Sequence, residues 1–347
     1  MIRTLAAVLL VFVSSPGWAL AAQDATDDGP ASHLPPNIRR LTHFGERADW
    51  SHDGRRLLFL SKTFGDAMEL ELETSAIRNL TAGFAHHGFV RAMYLANGDI
   101  LLSGPSEYDP KSPDAARRNS KLFVLDRGLK NPPVALGVRC NEGPAVSRKR
   151  LHIAWTEWAA SSQDRPPARS EIFEADVEYE AGVPRLANRR SVVDSTALAM
   201  PATLEAQSFR PPDEKELTFS AYDPSGNPSD VGIVELITRQ VRNLTRTPDV
   251  YEEPEGISPD GRWTLVESDQ QNRQGPSHID IWRLMLDGSG AWERLTRFSD
   301  TPGYKASNPV VSDDGRFFAF QMGKTGEAAG VGHGLFLYSL EGARPGK

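Results

Sequence analysis

Ser51-His-Asp-Gly-Arg55 is the first of three related stretches that decide the fold, the others being Ser258-Pro-Asp-Gly-Arg262 and Ser312-Asp-Asp-Gly-Arg316. Each is followed by an alternating apolar run, which is typical of a β-strand with one buried face. Asp-Gly favours the tight turn of a β-hairpin, because such turns need residues with positive φ. A turn-and-strand unit that recurs along a chain predicts an architecture built from repeats.

The repeats are best described as six similar units, each with up to four short strand-like segments. We therefore predict an all-β fold, a six-bladed β-propeller whose blades are four-stranded antiparallel sheets. The second, third and fourth units are the most degenerate. In the third unit, Arg148-Lys149 stands where other units have Asp-Gly.

The last unit lacks a fourth strand, and a spare strand lies near the other end of the chain. Ile38-Arg-Arg-Leu-Thr42 matches the strand endings Ile77-Arg-Asn-Leu-Thr81 and Val241-Arg-Asn-Leu-Thr245, although no inner strands precede it. We predict that this N-terminal strand completes the last blade. Such a closure joins the two ends of the propeller and leaves no open sheet edge.

The Ser-x-Asp-Gly-Arg turn, the Leu-x-Phe or Phe-x-Phe run after it and the Leu-Thr ending resemble the repeats of TolB-type six-bladed propellers. Such propellers also form the non-catalytic domain of prolyl-oligopeptidase-like enzymes. The resemblance implies a propeller without the small α/β domain that precedes it in TolB proteins. It leaves the activity open, because one fold hosts many functions. The chain has no Gly-x-Ser-x-Gly elbow, which argues against the hydrolase chemistry of the prolyl-oligopeptidase relatives.

The N-terminal residues are typical of a cleaved secretory signal, with Arg3 before the apolar run 5–13 and a small-residue site that ends at Ala21. We predict a signal peptide at 1–21 with cleavage near Ala21, a polar flexible segment at 22–36 and the propeller at 37–347. The expected location is periplasmic or secreted. No later segment is apolar over the roughly 20 residues that a membrane span needs. Cys140 is the only cysteine, so no disulfide is expected.

The charge balance limits the classes of partner. The chain has 39 Lys and Arg residues against 46 Asp and Glu residues, a formal net charge of -7. Nucleic-acid binding favours a basic face, and binding to anionic lipid favours a polybasic patch. The sequence therefore argues against both and leaves a protein or peptide partner, or an oligosaccharide.

The predicted loops differ greatly between the two faces of the propeller. Because successive strands of a blade run in opposite directions, loops between second and third strands emerge on the same face as loops between blades. We call this the long-loop face, because it carries the segments 104–120, 157–170, 222–230, 268–277 and 322–334. Long loops on a rigid scaffold are where binding groups concentrate.

Polar residues recur where the inner strands begin, at the mouth of the central channel on the long-loop face. The candidate binding residues there are His87, Arg91, Glu142, Glu205, Glu253 and Asn308. Such a ring suits a cation, a sugar or a peptide, although hydrated polar groups line the channel mouth of any propeller and explain it more simply.

Two more specific sites are open alternatives. A divalent metal needs three or four converging ligands, for which His87, Glu142 and Glu253 are the candidates, with His278 and His333 in reach on long loops. No other cofactor is indicated. The long loop of the third unit carries an exposed aromatic side chain and two cations, namely Trp158, Arg165 and Arg169. We predict that they form a platform on which a sugar or a peptide stacks.

We expect an exported, non-catalytic propeller that serves as a scaffold for binding a protein or another ligand. Two alternatives stay open. One is a metal-assisted lyase or hydrolase that acts on a carbohydrate at the channel mouth, and the other is a soluble carbohydrate-binding protein. The sequence assigns no catalytic residue.

Overall fold

The computed structural model describes residues 29–141, 143–159, 169–198, 202–224, 227–327 and 330–341. In these residues, 24 strands form six four-stranded antiparallel sheets arranged as a β-propeller, which confirms the predicted fold class. Three predictions fall outside the described residues: the signal peptide with its cleavage site near Ala21, and the two candidate site residues Glu142 and Arg165.

The first three blades follow one another along the chain after an initial strand, β1 (Ile38–Arg40). Blade one consists of β2 (Glu46–Trp50), β3 (Arg56–Leu60), β4 (Ala67–Glu71) and β5 (Ile77–Asn79). Blade two consists of β6 (Arg91–Tyr94), β7 (Ile100–Pro105), β8 (Ser120–Leu125) and β9 (Val134–Arg139). Blade three consists of β10 (Ala145–Val146), β11 (His152–Trp158), β12 (Ser170–Glu180) and β13 (Val183–Asp194). A short helix, α1 (Pro113–Arg118), lies in the loop between β7 and β8.

The last three blades repeat the scheme. Blade four consists of β14 (Thr203–Phe209), β15 (Glu216–Tyr222), β16 (Ser229–Glu235) and β17 (Val241–Asn243). Blade five consists of β18 (Glu252–Ile257), β19 (Trp263–Ser268), β20 (Asp280–Met285) and β21 (Trp292–Arg294). Blade six consists of β22 (Tyr304–Val311), β23 (Phe317–Lys324), β24 (Leu335–Ser339) and β1. The 3-10 helices of the described residues are Gly29–Ser32, Ser195–Ala197 and Phe298–Asp300.

The N-terminal strand completes blade six, as predicted. β1 pairs antiparallel with β24, with Ile38 opposite Tyr338. The Leu335 amide donates a hydrogen bond of 2.9 Å to Thr42 Oγ1, so the Leu-Thr ending of the motif also takes part in the closure. Blade six is therefore built from both ends of the propeller.

Residues just before β1 pack on blade six, although the sequence predicts a flexible segment over 22–36. In its described part, Gly29–Ser32 forms a 3-10 helix, and Ala31 and Leu34 pack against the core around Ile38. A Cβ atom on Gly29 would lie 2.3 Å from the Tyr304 ring, so this approach requires glycine. In the described part of this segment, the apolar side chains therefore pack on a surface that blade six provides.

The recurrent turn motif is a local hydrogen-bonded unit. Ser51 Oγ donates to Asp53 Oδ1 at 2.6 Å, and the Arg56 amide donates to Ser51 Oγ at 2.9 Å. The Ser51 hydroxyl holds the pKa of Asp53 below its ordinary value. Gly54 adopts φ +69°, which side-chain-bearing residues rarely adopt. The same Ser–Asp hydrogen bond, also of 2.6 Å, recurs in blades five and six.

The sequence pattern does not predict the fourth strand of blade two or the full length of two strands in blade three. Blade two has a fourth strand, β9, which follows a turn without an Asp-Gly signal. In blade three, β12 and β13 extend to 11 and 12 residues around a turn at Ala181 and Gly182, both with positive φ. The outer half of this hairpin is largely exposed, so it lacks the alternation of apolar residues that marks a buried strand.

Candidate functional site

The channel opens on the long-loop face into a cavity of about 690 Å³, which we call the mouth cavity. Inner strands and long loops both contribute to its lining, through residues such as Arg47, Glu205, Glu253, Ser307, Asp223, Pro276 and Gly326. A smaller cavity of about 290 Å³ lies deeper in the channel. The two cavities share Arg47, Arg91 and Asn308 in their linings. With Glu255, these residues form a layer across the channel that we call the channel floor.

The channel floor contains a buried ion pair. Arg91 Nη2 donates to the Glu255 carboxylate at 3.0 and 3.3 Å, and Asn308 Nδ2 donates to the same carboxylate at 2.8 Å. Burial disfavours the charge on Arg91, yet Glu255 and Glu205 outweigh it and hold the pKa of Arg91 above its ordinary value. Burial raises the pKa of the Glu255 carboxyl, and Arg91 opposes this rise. The ion pair therefore lies in a desolvated layer, where burial and the partner's charge act on the Glu255 carboxyl in opposite directions.

In four blades, the first strand, which lines the channel, contains a bulge near the channel floor. These bulges direct side chains into the channel. The strand register shifts between Glu46 and Asp49, Ala206 and Ser208, Pro254 and Ile257, and Ser307 and Val310. Arg47 and Asn308 adopt positive φ, of 55° and 49°. A bulge bends its strand and redirects a side chain, a device common beside functional sites.

Three carboxylates converge next to the floor. Glu253, Glu255 and Glu267 each offer an oxygen atom, and these atoms lie within 4.8 Å of one another. Glu253 accepts hydrogen bonds from the Tyr251 hydroxyl and from Gln207 Nε2, while Glu267 accepts one from the Asn308 amide. Burial, together with Glu253 and Glu255, raises the pKa of the Glu267 carboxyl well above its ordinary value. Carboxylate oxygens in such a group suit a hard divalent cation, which would relieve their mutual repulsion.

Charged side chains of both signs line the mouth cavity, with Glu46, Asp223, Glu327, Lys305 and Lys324 outside the two main groups. Its acidic wall consists of Glu205, Glu253 and Glu267, from blades four and five. Its cationic wall consists of Arg47, Arg91 and Arg117, from blades one and two, with Arg117 carried by helix α1. Glu205 is fixed by hydrogen bonds from the Tyr222 hydroxyl at 2.8 Å and from the Gly143 amide at 3.1 Å. A ligand with groups of both signs would therefore meet complementary walls.

Arg148 braces the opposite end of the channel. From blade three it donates to the Trp50 carbonyl at 2.9 Å and to Asp313 Oδ1 at 2.9 Å, and it contacts Asp49 Oδ1 at 3.3 Å. Asp49 and Trp50 belong to blade one, and Asp313 lies in the turn after β22 of blade six. The arginine that replaces Asp-Gly in the third unit thus crosses the channel and narrows its end on the face opposite the long-loop face, which we call the short-turn face.

Four of the predicted channel-mouth residues come together. Arg91, Glu205, Glu253 and Asn308 all line the mouth cavity. His87 is exposed and does not line it.

The histidines of the predicted metal set do not gather at the cavity. His278 and His333 are likewise outside its lining, and His333 Nε2 contacts Glu327 at 2.5 Å instead. The carboxylates that accompany Glu253 are Glu255 and Glu267, neither of which is among the predicted metal ligands.

The predicted platform on the loop of blade three is arranged differently from the expectation. Trp158 is the last residue of β11, and its side chain is only 9% exposed. Its backbone amide donates to Asn141 Oδ1 at 2.7 Å. It nevertheless lines the mouth cavity. Arg169 is half exposed and lies outside this lining, paired with Asp194 at 2.6 Å and Glu171 at 2.8 Å. Trp158 is therefore a wall of the cavity rather than an exposed platform.

An apolar rim borders the mouth over blades six, one and two. Phe44, Tyr108 and Val331 are 40%, 39% and 49% exposed. The rings of Phe64 and Tyr108 lie 4.7 Å apart, and the Thr63 amide donates to the Gly330 carbonyl at 3.0 Å. A β-bridge between Gly45 and His333 links the segments of Phe44 and Val331. These contacts link the segments that carry the three exposed side chains, of which Val331 lines the mouth cavity itself.

The fold and site define a β-propeller with a charged channel mouth, and comparison with known proteins agrees on the fold. No family model matches the chain. No curated protein matches it in sequence either. Among the described residues, no helix has the length and apolar character needed to cross a membrane.

Solved propeller structures are similar to the chain over most of its length. A gluconolactonase from Xanthomonas campestris has 15% identity and a TM-score of 0.54, covering 87% of this chain and 88% of its own. An oligogalacturonate lyase from Vibrio parahaemolyticus has 16% identity and a TM-score of 0.50, with coverage of 84% and 75%. TolB from Acinetobacter baumannii has 16% identity and a TM-score of 0.47, with coverage of 85% of this chain and 66% of TolB. A second TolB structure, from Agrobacterium tumefaciens, is also among the solved structures that match the chain.

Proposed function

We propose that the protein is an exported, non-catalytic binding module that captures a segment of a protein or peptide partner in the mouth cavity. One observation carries the proposal: a cavity of about 690 Å³ opens on the long-loop face and is backed by the ion-paired channel floor. Its volume is in the range of pockets that take small ligands or side chains of a bound segment. The N-terminal stretch of the sequence, which is typical of a cleaved secretory signal, supports a periplasmic or secreted location.

The apolar rim supports a protein or peptide partner over a small polar ligand. Interfaces combine aromatic or aliphatic anchors with charged groups that fix orientation. Here Phe44, Tyr108 and Val331 are exposed beside walls of both charge signs. A partner segment could place apolar side chains on the rim and charged ones in the cavity.

Site-specific photo-crosslinking in the exporting cell tests this function. A photo-reactive residue at Val331, on the rim, is compared with one at Ile237, in the turn between β16 and β17 on the short-turn face. Both side chains are exposed and aliphatic, at 49% and 72%. We expect a discrete adduct with a protein or peptide from position 331 and none from position 237. Absence of an adduct at 331, or equal adducts at both positions, would contradict the proposal.

The converging carboxylates favour a second candidate, a metal-assisted lyase or hydrolase that acts on a carbohydrate at the mouth. Glu253, Glu255 and Glu267 supply the oxygen atoms that a divalent cation prefers. Elemental analysis of protein purified without chelator tests it. About one divalent ion per chain, lost in Glu253→Gln and kept in Glu157→Gln outside the cavity, is the expected result for this candidate. Protein free of divalent metal would remove it.

A further inference from the structure

We propose that Arg47 is the anchor for a carboxylate group of the ligand bound in the mouth cavity. The proposal deepens the proposed function and rests on it, since it assumes that the mouth cavity is a binding site. Arg47 lies at the channel floor and lines both cavities. Its side chain is 16% exposed, so the guanidinium is largely withdrawn from bulk water and still accessible from the cavity.

The Arg47 guanidinium has no hydrogen-bond acceptor among the described residues. Its Nε atom is buried without a partner, and its one charged contact is Glu46 Oε1 at 3.7 Å. Glu46 in turn accepts a hydrogen bond from Thr63 Oγ1. The other channel arginines differ: Arg91 has Glu255, and Arg148 has Asp49 and Asp313. A guanidinium offers five donors, so Arg47 retains unused capacity that faces the cavity.

The backbone at Arg47 is held in a conformation that arginine does not favour. Its φ is 55°, within the bulge of β2, and its amide donates to Gln321 Oε1 at 2.6 Å. Left-handed backbone is the ordinary place for glycine or asparagine, and other residues there often mark functional sites. The bulge and the Gln321 contact therefore aim an arginine into the channel against its backbone preference.

The surroundings also disfavour the charge on Arg47. Burial lowers its pKa, and the neighbouring Arg91 and Arg117 lower it further, against weaker opposing effects of Glu46 and Glu255. An anion bound between Arg47 and Arg117 would offset all three effects. Arg47 thus combines an unfavourable backbone conformation, unused hydrogen-bond donors and repulsion by neighbouring arginines. None of these features stabilises the fold, and all are explained by an anionic ligand.

The walls of the cavity select a carboxylate rather than a more highly charged anion. The planar fork of a guanidinium matches a carboxylate with two parallel hydrogen bonds. The acidic wall of Glu205, Glu253 and Glu267 stands opposite, and it would repel a phosphate dianion while accepting hydroxyl or ammonium groups of the same ligand. A peptide C-terminus and a uronic acid both carry such a carboxylate beside hydrogen-bond donors.

Equilibrium dialysis with two pairs of probes tests the inference and separates these sources. The first pair is a mixture of hexapeptides with free C-terminal carboxylates and the same mixture amidated. The second is digalacturonate and its methyl ester. We expect the wild type to retain the carboxylate form of one pair at least tenfold better than its neutral form, and the responding pair identifies the source.

Variants assign the preference to Arg47. Arg47→Gln should abolish the carboxylate preference, and Arg47→Lys should retain part of it. The matched control is Arg242→Gln, which removes a half-exposed arginine paired with Glu216 on the outermost strand of blade four. Arg242→Gln should bind as the wild type does. Because the Arg47 guanidinium has a buried Nε without a partner and only a 3.7 Å contact with Glu46, Arg47→Gln should melt at the wild-type temperature or above it.

The outcomes distinguish failure of this inference from failure of the proposed function. Equal retention of carboxylate and neutral probes, or an unchanged preference in Arg47→Gln, would overturn the role of Arg47. If an adduct still forms at position 331, the mouth remains a binding site and only the carboxylate anchor is refuted. If neither an adduct nor retention of any probe is seen, both proposals fail.

Discussion

Replacing Ile38 by alanine tests how much the N-terminal strand contributes to closing the ring. Ile38 is 6% exposed and packs in the core of blade six with Phe318 and Phe336. Ile77 occupies the same position of the motif in blade one and is 40% exposed. Ile38→Ala and Ile77→Ala therefore make the same chemical change in two strands, of which only the strand of Ile38 closes the propeller.

The expected magnitude follows from the groups removed. Losing three buried carbon atoms costs roughly 2.4 kcal/mol in transfer free energy. The cavity that remains raises the total to about 3 kcal/mol, within the usual range for isoleucine-to-alanine changes. Unfolding entropy is about 2.1 cal/mol/K per residue, so for roughly 300 folded residues this corresponds to a fall in melting temperature of about 5 °C. Ile77→Ala should change the free energy of unfolding by no more than about 0.5 kcal/mol.

Thermal and urea unfolding of the two variants and the wild type provide the measurement. Far-UV circular dichroism should show that all three proteins are folded before the transition. Equal losses of stability in Ile38→Ala and Ile77→Ala, or no loss in either, would refute the reasoning that β1 is a fixed part of blade six. A further deletion of 38–42 should be more damaging than Ile38→Ala, because it also exposes the edge of β24.

Two other changes test the charged interior. Arg148→Met should cost about 3 kcal/mol in urea unfolding, because it leaves the buried Asp49 carboxylate without its cation. Arg55→Met, which removes an exposed pairing with Glu73, should be nearly neutral, and equal losses in both variants would argue against the brace. Glu267→Gln should raise the free energy of unfolding at about pH 8 more than at about pH 5. The pKa of Glu267 is higher in the folded than in the unfolded protein, so the wild type becomes less stable as pH rises from the unfolded towards the folded pKa. Glutamine does not titrate, and the variant avoids this loss. A parallel shift of the two stability curves at every pH would contradict the raised pKa of Glu267.

The sequence predicts the frame of this propeller well because its signals are local. The Ser51–Asp53 hydrogen bond and the positive φ of Gly54 are set within a few residues, so the turn motif identifies the hairpins directly. Ile38 can be assigned to a strand without neighbours because it carries the same ending as Ile77. By contrast, β9 lacks such a signal, and the outer hairpin of β12 and β13 is too exposed to show an apolar period.

The site is harder to predict because it depends on register and on contacts between blades. Aligning the starts of the inner strands finds Glu205 and Glu253, which follow regular strand geometry. It misses Arg47, because a bulge adds a residue there and turns the side chain into the channel. Glu267 is missed because it lies on a second strand, and His87 is misplaced because it precedes the start of β6 at Arg91.

The closure of blade six also sets an order of events for the folding chain. Thr42 and Leu335, which are hydrogen-bonded in the closure, are separated by 293 residues. Among the strands of residues 29–341, β1 is synthesised first and its partner β24 last, so β1 cannot form its native pairing until the other five blades have been synthesised. Joining ends this distant costs only about 2 kcal/mol more in loop entropy than joining ends ten times closer, so the delay is mainly kinetic. Until β24 arrives, the incomplete ring presents a free strand edge, and this interval is when chaperones, proteases or other copies of the chain have most access to it.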